Sequence, residues 1–159
     1  MARLLSLDAL YQAEIREQPP IEALSLLRQQ GWSVTIPDPP ETDTGPPSEG
    51  AVTYATLLVE GVQEHSAEID GLIDRYAERW DIDRMPIVDK NLLRVAVFEL
   101  LWRPDTPTAV VINEAIELAK SLSTDESGRF INGILGRVVN ELADVSDEPR
   151  SNRDQSSNS

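Results

Sequence analysis

Phe130 next to Arg129 is the pair of side chains in this sequence best suited to bind a single-stranded nucleic acid. An aromatic ring can stack on an unpaired base while an arginine holds a phosphate. Asn132 follows shortly after and could read a base edge or cap the polar turn before it. The alternative is a core phenylalanine with a surface arginine, which the sequence alone favours.

This chain contains few residues that are suited to catalysis or metal binding. There is no cysteine, which excludes a thiol nucleophile. His65 is the only histidine, so a histidine-based triad or a multi-histidine metal site is disfavoured. Glu114, Glu117, Asp125 and Glu126 fall at exposed-face or capping positions, where solvation accounts for them. We therefore expect a binding protein without catalytic activity, metal, cofactor or small-molecule substrate.

The charge balance opposes simple nucleic-acid binding. The chain has 159 residues and a formal net charge of −14, whereas nucleic-acid-binding proteins usually carry a basic footprint. Binding depends on the local field, so a small basic patch or a basic partner could still provide the contact. No apolar run approaches the length of a membrane span, and no secretory signal is evident. These features predict a cytoplasmic protein that does not bind a membrane.

Apolar residues recur at helical spacing along most of the chain, and no segment shows convincing strand character. Ile112, Ala115 and Ile116, for example, share one helical face. Residues 88–102 are apolar on almost every side, which predicts a central helix. The pattern predicts an all-α fold of seven helices, at residues 2–16, 21–30, 51–64, 67–80, 88–102, 108–120 and 129–143.

The last predicted helix contains an Asn132-Gly133 pair, which is otherwise a strong signal for a hairpin turn. A helical apolar period that includes Ile131 and Ile134 runs through the pair, so we predict a helix there. Gly133 and Gly136 would each cost a helix interior about 1 kcal/mol relative to alanine. Such a cost suggests that another backbone, or an RNA, comes close to this face.

Two segments lack helical patterning. Residues 36–50 hold five prolines and two glycines, a composition that predicts a mobile loop. Residues 145–159 are polar and rich in serine, asparagine and aspartate, which predicts a disordered tail. The chain is therefore expected to form one helical domain, residues 1–144, interrupted by the loop.

Three separated blocks of sequence occur in an order that is typical of one protein family. Residues 9–12 (ALYQ) lie in the first helix, residues 88–101 (VDKNLLRVAVFELL) form the second block, and residues 111–120 (VINEAIELAK) with 130–135 (FINGIL) form the third. Together they resemble the NusB transcription antitermination family over most of the chain. The resemblance implies two small helical bundles packed on each other.

The resemblance also implies a function and its residues. NusB proteins bind the boxA element of nascent ribosomal RNA together with the ribosomal protein NusE, and contact RNA polymerase and other Nus factors indirectly. Tyr76 and Asp89 lie on helices that dock NusE in the family, and an acidic surface suits a basic ribosomal protein. The residues expected to bind RNA are Arg3, Tyr11, Glu126, Arg129, Phe130 and Asn132.

The sequence departs from the family at its start, where NusB proteins usually carry an arginine-rich arm and only Ala2 and Arg3 precede the apolar run here. We expect the true start to lie upstream of Met1, which mass spectrometry of the native N-terminus would test. A protein-only adaptor that holds NusE without touching RNA is the alternative function. The NusB-like domain of an RNA methyltransferase is disfavoured, since 159 residues leave no room for a methyl-donor-binding domain. The sequence does not distinguish a monomer from a dimer.

Overall fold

The computed structural model describes residues 1–33, 46–77 and 82–157, with side chains as far as Ala143. Helices are the only regular structure in these ranges, which confirms the all-α prediction. A short 3-10 turn, Ile82–Arg84, precedes the fifth α-helix. The seven α-helices are α1 (Ala2–Arg16), α2 (Pro20–Gln29), α3 (Glu49–Glu64), α4 (Ser66–Tyr76), α5 (Ile87–Trp102), α6 (Thr108–Leu122) and α7 (Asp125–Ser157).

Prolines and a serine cap set several helix starts. Pro20 opens α2, and Pro86 and Pro107 immediately precede α5 and α6. At these positions the missing N–H of proline costs no helical hydrogen bond. Ser48 caps α3 by accepting a hydrogen bond from the Ala51 N–H at 3.1 Å. Because of this cap, α3 begins directly after the serine, earlier than the apolar spacing alone predicts.

α4 is shorter than its apolar spacing predicts. The helix ends at Tyr76, and the N–H of its C-cap, Ala77, donates to the carbonyl of Ile73. The remaining residues of the predicted helix, 78–80, lie outside the described part of the chain. Residues 36–45 of the predicted mobile loop also lie outside it, so the predicted mobility stays a prediction.

α7 begins inside the stretch 121–128 that the sequence predicts as a link between helices. Thr124 caps its start, because the Ser127 N–H donates to Thr124 Oγ1 at 3.0 Å. The Asn132-Gly133 pair lies within the helix, which confirms the choice of helix over turn. The connection between α6 and α7 is therefore very short, and the two helices pack against each other.

The backbone of α7 continues to Ser157, whereas the composition of residues 145–159 predicts a disordered tail. A nucleated helix adds one hydrogen bond for each further residue, so a helix that packs well at its start can extend into a polar segment. Side chains beyond Ala143 lie outside the described part of the structure. The disordered tail therefore stays a prediction.

α5 is the central helix, as its apolar pattern predicts, and it packs against α1, α3, α4, α6 and α7. The main hydrophobic core surrounds it and draws on all of these helices. A smaller core packs α1, α2 and α3 together and consists of Ala9, Ala13, Ala23, Leu24, Leu27 and Val59. Two small helical bundles thus share α1 and α3: one contains α2, and the other surrounds α5. Packing of α5 against α6 and α7 places the start of α5 beside the α6–α7 turn.

A glycine allows α3 and α5 to approach closely. A methyl group added at Gly61 would lie 2.1 Å from Cζ of Phe98, a side chain that is only 5% exposed. Gly133 on α7 differs, because an added methyl group there would meet nothing within 4 Å. Among the described residues nothing contacts Gly133 at this face, so the close approach predicted from the sequence stays a prediction.

These two glycines make a matched pair for mutation. We expect Gly61→Ala to lower the free energy of unfolding by about 1–3 kcal/mol, because the added methyl group overpacks the Phe98 contact. Gly133→Ala is expected to raise it by up to about 1 kcal/mol, since alanine is the better helix former and the methyl group meets no neighbour. Thermal unfolding of both variants measures the difference, and a destabilised Gly133→Ala would contradict it.

Candidate nucleic-acid interface

The α6–α7 turn encloses a cavity against the start of α5. Phe130 supplies its aromatic side, and most of the other side chains are polar. The volume is about 290 Å³, and the lining residues are Pro86, Asp89, Ser123, Thr124, Glu126, Ser127 and Phe130. This turn cavity brings together two of the predicted RNA-binding residues, Glu126 and Phe130, with one predicted partner-binding residue, Asp89.

Asp89 is a buried carboxylate whose two oxygens differ in their hydrogen bonding. Its side chain is 3% exposed, and the Ser127 hydroxyl donates to its Oδ2 at 2.8 Å. The other oxygen, Oδ1, has no hydrogen-bond partner among the described residues. An unpaired buried acceptor is costly, on the order of 1–3 kcal/mol, unless a ligand or water provides a donor.

Hydrogen bonds within the turn hold Ser127 in place. The Thr124 hydroxyl donates to Ser127 Oγ at 3.1 Å, and Ser123 Oγ lies 3.0 Å from the same atom. The single hydroxyl proton of Ser127 therefore points to Asp89 while its oxygen accepts from the turn. This arrangement fixes the orientation of the carboxylate.

A network of ion pairs fixes the start of α5, where Asp89 lies. Glu14 of α1 accepts from Lys90 at 2.8 Å and from Arg94 at 2.7 Å, and Arg94 also binds both oxygens of Asp70 on α4. Burial lowers the pKa of Arg94, but hydrogen bonds and the charges of Asp70 and Glu14 outweigh burial and raise it overall. Three helices are thereby held together beside the turn cavity.

The remaining predicted RNA-binding residues of α7 are exposed near the cavity. Arg129 directly precedes Phe130, and Asn132 lies on the next part of the same helix. Phe130 itself is partly buried and packs against the main core. Phe130 also lines the cavity, so its position is compatible both with core packing and with stacking on a base.

Arg3 lies away from the turn cavity, beside Glu99 of α5. Its guanidinium forms a two-pronged ion pair with Glu99, at 2.7 Å and 2.8 Å, and Glu99 is only 1% exposed. The Tyr54 hydroxyl donates to the same carboxylate at 2.7 Å. Hydrogen bonding to Glu99 raises the pKa of Arg3, and burial raises the pKa of Tyr54. Glu99 lies about 15 Å along α5 from Asp89, so the structure does not bring Arg3 to the turn cavity.

The two predicted tyrosines are not lining residues of the cavity. Tyr11 is partly buried and packs against the main core from α1. The Tyr76 hydroxyl donates to Glu141 of α7, and Arg75 binds the same carboxylate at 2.7 Å. Arg137 donates to the Tyr76 carbonyl at 3.1 Å. Tyr76 thus belongs to a separate contact between α4 and α7, about 17 Å along α7 from Phe130.

Sequence reasoning missed two functional candidates in the cavity, Ser127 and Thr124. Both belong to a run of small polar residues, which the sequence marks only as capping residues. Their arrangement around Asp89 depends on the packing of α7 against α5, which local spacing does not report. A buried acid opposite a serine-rich turn leaves no periodic signal in the sequence.

The described residues offer neither a membrane-spanning helix nor a metal-binding cluster. No helix in this part of the chain is long and apolar enough to cross a membrane. Histidine, aspartate and glutamate side chains form no group of three or more there that could hold a metal ion.

Solved structures share this fold. T. maritima NusB matches with a TM-score of 0.72 and 36% identity, and the match covers 88% of this chain and 89% of that one. A structure of the antitermination factors NusB and NusE in complex with dsRNA matches with a TM-score of 0.71 and 26% identity, covering 86% of this chain and 92% of the matched chain. The helical arrangement around the turn cavity is therefore that of NusB proteins.

Sequence relatives agree with the structural likeness. The transcription antitermination protein NusB of Salinispora arenicola is 45% identical over 138 residues, which is 87% of this chain and 92% of that protein. The protein of the same name from Myxococcus xanthus is 45% identical over 134 residues, 84% of this chain and 89% of its own. The NusB family model matches residues 1–140, and the chain belongs to the NusB family.

Proposed function

We propose that this chain binds the boxA element of nascent ribosomal RNA together with ribosomal protein NusE, and thereby keeps RNA polymerase elongating through terminators. The observation that carries the proposal is the turn cavity, which joins an aromatic side chain to polar groups in a NusB fold. RNA recognition of this kind uses unstacked bases and needs no catalytic group. The protein acts in the cytoplasm as a binding factor and not as an enzyme.

Residues in the cavity and at its rim make different contacts with the RNA. Phe130 stacks on one unpaired base, and Arg129 beside it holds a phosphate. Asn132 contacts a base edge from the exposed face of α7. Glu126 carries a negative charge at the cavity, so it accepts from base amino groups and stays away from the phosphates.

The charges explain why a partner is needed. Several of the cationic side chains are already bound to carboxylates, as Arg3 is to Glu99 and Arg94 is to Asp70. With a net charge of −14, few cations are left to neutralise phosphates. A basic ribosomal protein supplies the missing positive surface and is attracted by the acidic one. Tyr76 and its neighbours at the α4–α7 contact form the proposed docking surface for NusE.

A salt series tests this coupled recognition. We expect the affinity for a labelled boxA RNA to rise when NusE is added and to fall with salt by about 0.7 log units per log salt for each neutralised phosphate. Fluorescence anisotropy with and without NusE measures both effects. An affinity that is unchanged by NusE and insensitive to salt would contradict the proposal.

The protein-only adaptor is the second candidate, and the strongly acidic charge favours it. Arg129→Ala separates the two functions, because a phosphate contact is lost only if RNA binds at the turn cavity. Arg28→Ala is a matched control, since Arg28 is an exposed arginine on α2. An adaptor predicts that both variants keep the RNA signal of the unchanged protein while NusE still binds.

A further inference from the structure

A groove separate from the turn cavity lies in the smaller bundle, between the end of α2 and the outer face of α3. We propose that this α2–α3 groove docks an extended segment of a basic protein, in which an apolar residue lies between two lysines or arginines. The groove has a volume of about 650 Å³, and none of its described lining residues lines the turn cavity. These residues are Arg28, Trp32, Pro47, Glu49, Val52, Thr53, Thr56, Leu57 and Glu60.

Trp32 forms an aromatic wall of the groove. The chain turns sharply after α2, because Gly31 and Trp32 have φ angles of 75° and 66°, and a positive φ is rare for a bulky side chain. The Trp32 N–H donates to the Leu27 carbonyl at 2.8 Å, and the side chain packs against the smaller core. Its indole N–H makes no hydrogen bond within the described part of the chain, so it can donate to a carbonyl of a docked segment.

The opposite wall is the outer face of α3, which combines apolar and acidic side chains. Val52 and Leu57 are partly exposed, and Glu49 and Glu60 are fully exposed. The two glutamates lie about 17 Å apart along one face of the helix, on either side of the apolar pair. Neither forms an ion pair with another described residue. Because Arg28 is the only basic residue among the described lining residues, the groove has a negative net charge.

The spacing of the two glutamates defines the chemistry of the partner. An extended chain advances about 3.1–3.4 Å for each residue, so two basic residues five or six positions apart can reach Glu49 and Glu60 together. An apolar residue between them then lies against Trp32 and the apolar pair of α3. Proline-rich segments adopt such an extended form and dock in aromatic-lined grooves.

The charges of the groove disfavour other occupants. RNA phosphates would be repelled by the two glutamates, and Arg28 alone would attract them. The chain's own residues 34–45 contain three acidic residues and no lysine or arginine, so they carry the wrong charge for this surface. A second copy of the chain brings a net charge of −14 and is repelled for the same reason. A basic protein segment is the occupant that complements the groove.

Peptide selection on the full chain tests the proposal. Random 12-residue peptides displayed on phage are selected for binding, and the enriched peptides are then synthesised with a fluorescein label. We expect the enriched sequences to place an apolar residue between two lysines or arginines that are five or six positions apart. Their affinity, measured by fluorescence anisotropy, should fall with salt, because exposed charges are screened.

Reversal of the groove charge shows where the peptides bind. We expect the double variant Glu49→Lys with Glu60→Lys to weaken peptide binding by about 5- to 30-fold, the loss that corresponds to two exposed ion pairs. Glu68→Lys with Glu117→Lys is the matched control, since both of these glutamates are exposed, on α4 and α6. The control makes the same change in net charge and should leave peptide affinity close to that of the unchanged protein.

Thr53→Arg is an independent variant that blocks the groove. Thr53 is exposed on α3 and lines the groove between the two glutamates, so arginine there fills space and neutralises charge without entering the core. We expect the labelled peptides to lose their binding to this variant. Circular dichroism of each variant confirms that only folded proteins are compared.

Three results would overturn the inference. The enriched peptides could lack basic residues, or could bind the Thr53→Arg and charge-reversal variants as well as the unchanged protein. A boxA RNA could displace them, which would assign the groove to nucleic acid. They could also bind only after residues 34–45 are replaced by a glycine-serine segment of equal length, which would make the chain's own segment the occupant. The proposed function is judged separately, since boxA RNA and NusE binding do not require this groove.

Discussion

Replacing Arg3 by alanine is expected to lower the free energy of unfolding by about 3–5 kcal/mol, because the change leaves the Glu99 carboxylate buried without a counter-charge. Glu99 is 1% exposed and keeps only the Tyr54 hydroxyl as a donor among the bonds described for it. One neutral hydrogen bond does not offset the loss of a two-pronged ion pair. In a domain of this size the melting temperature would fall by roughly 6–20 °C.

Two further variants show whether the unpaired Glu99 carboxylate causes the loss of stability. Arg3→Met combined with Glu99→Leu removes both charges and should restore most of the stability, since apolar replacements of buried ion pairs are often neutral or stabilising. Arg75→Ala breaks an ion pair with Glu141 whose arginine is 64% exposed, so we expect a loss of at most about 1 kcal/mol. Calorimetric unfolding of the three proteins gives the comparison.

The result also decides between two roles for Arg3. The resemblance to NusB proteins implies that this residue binds RNA, whereas the structure pairs it with Glu99 at the far end of α5 from the turn cavity. An Arg3→Ala protein that melts like the unchanged protein and loses affinity for boxA RNA would contradict the structural role. A destabilised variant with normal RNA affinity at low temperature would confirm it.

The helices could be predicted from the sequence because each one leaves an apolar period of its own. α5 shows this most clearly, since residues such as Leu93 and Val97 are fully buried on a helix whose sequence is apolar on almost every side. The helix ends were harder to predict. Ser48 and Thr124 lengthen their helices through side-chain caps, and a cap depends on one hydrogen bond rather than on a period.

The site could be predicted only in part. Phe130 and Glu126 were selected together, and both line the cavity, because they lie one turn apart on the same helix. Asp89 was selected as a partner-binding residue, and its pairing with Ser127 could not be predicted, since it joins two helices that are distant in sequence. Arg3 was selected as a cation near the start of the chain, and nothing local reveals that Glu99 holds it. Local patterns thus report which residues share a helix but not which partners they meet across the core.

Phe130→Leu is expected to weaken boxA RNA binding by about 5- to 140-fold, the loss that corresponds to about 1–3 kcal/mol for one stacked base. Phe130 packs against the main core and also lines the cavity, so truncation to alanine would mix a folding effect with a binding effect. Leucine keeps most of the apolar packing, at a cost below about 1.5 kcal/mol for a swap of similar volume. It has no aromatic face on which a base can stack.

Phe130→Tyr and Val110→Ala are the control variants for Phe130→Leu. Tyrosine keeps the ring, so we expect RNA affinity close to that of the unchanged protein. Val110 is an exposed apolar residue, 42% exposed, at the opposite end of α6, about 18 Å along that helix from the turn cavity. Its loss should leave RNA binding unchanged. If Phe130→Leu binds boxA RNA as well as Phe130→Tyr does, the ring serves only the core, and the stacking contact must be made by another residue.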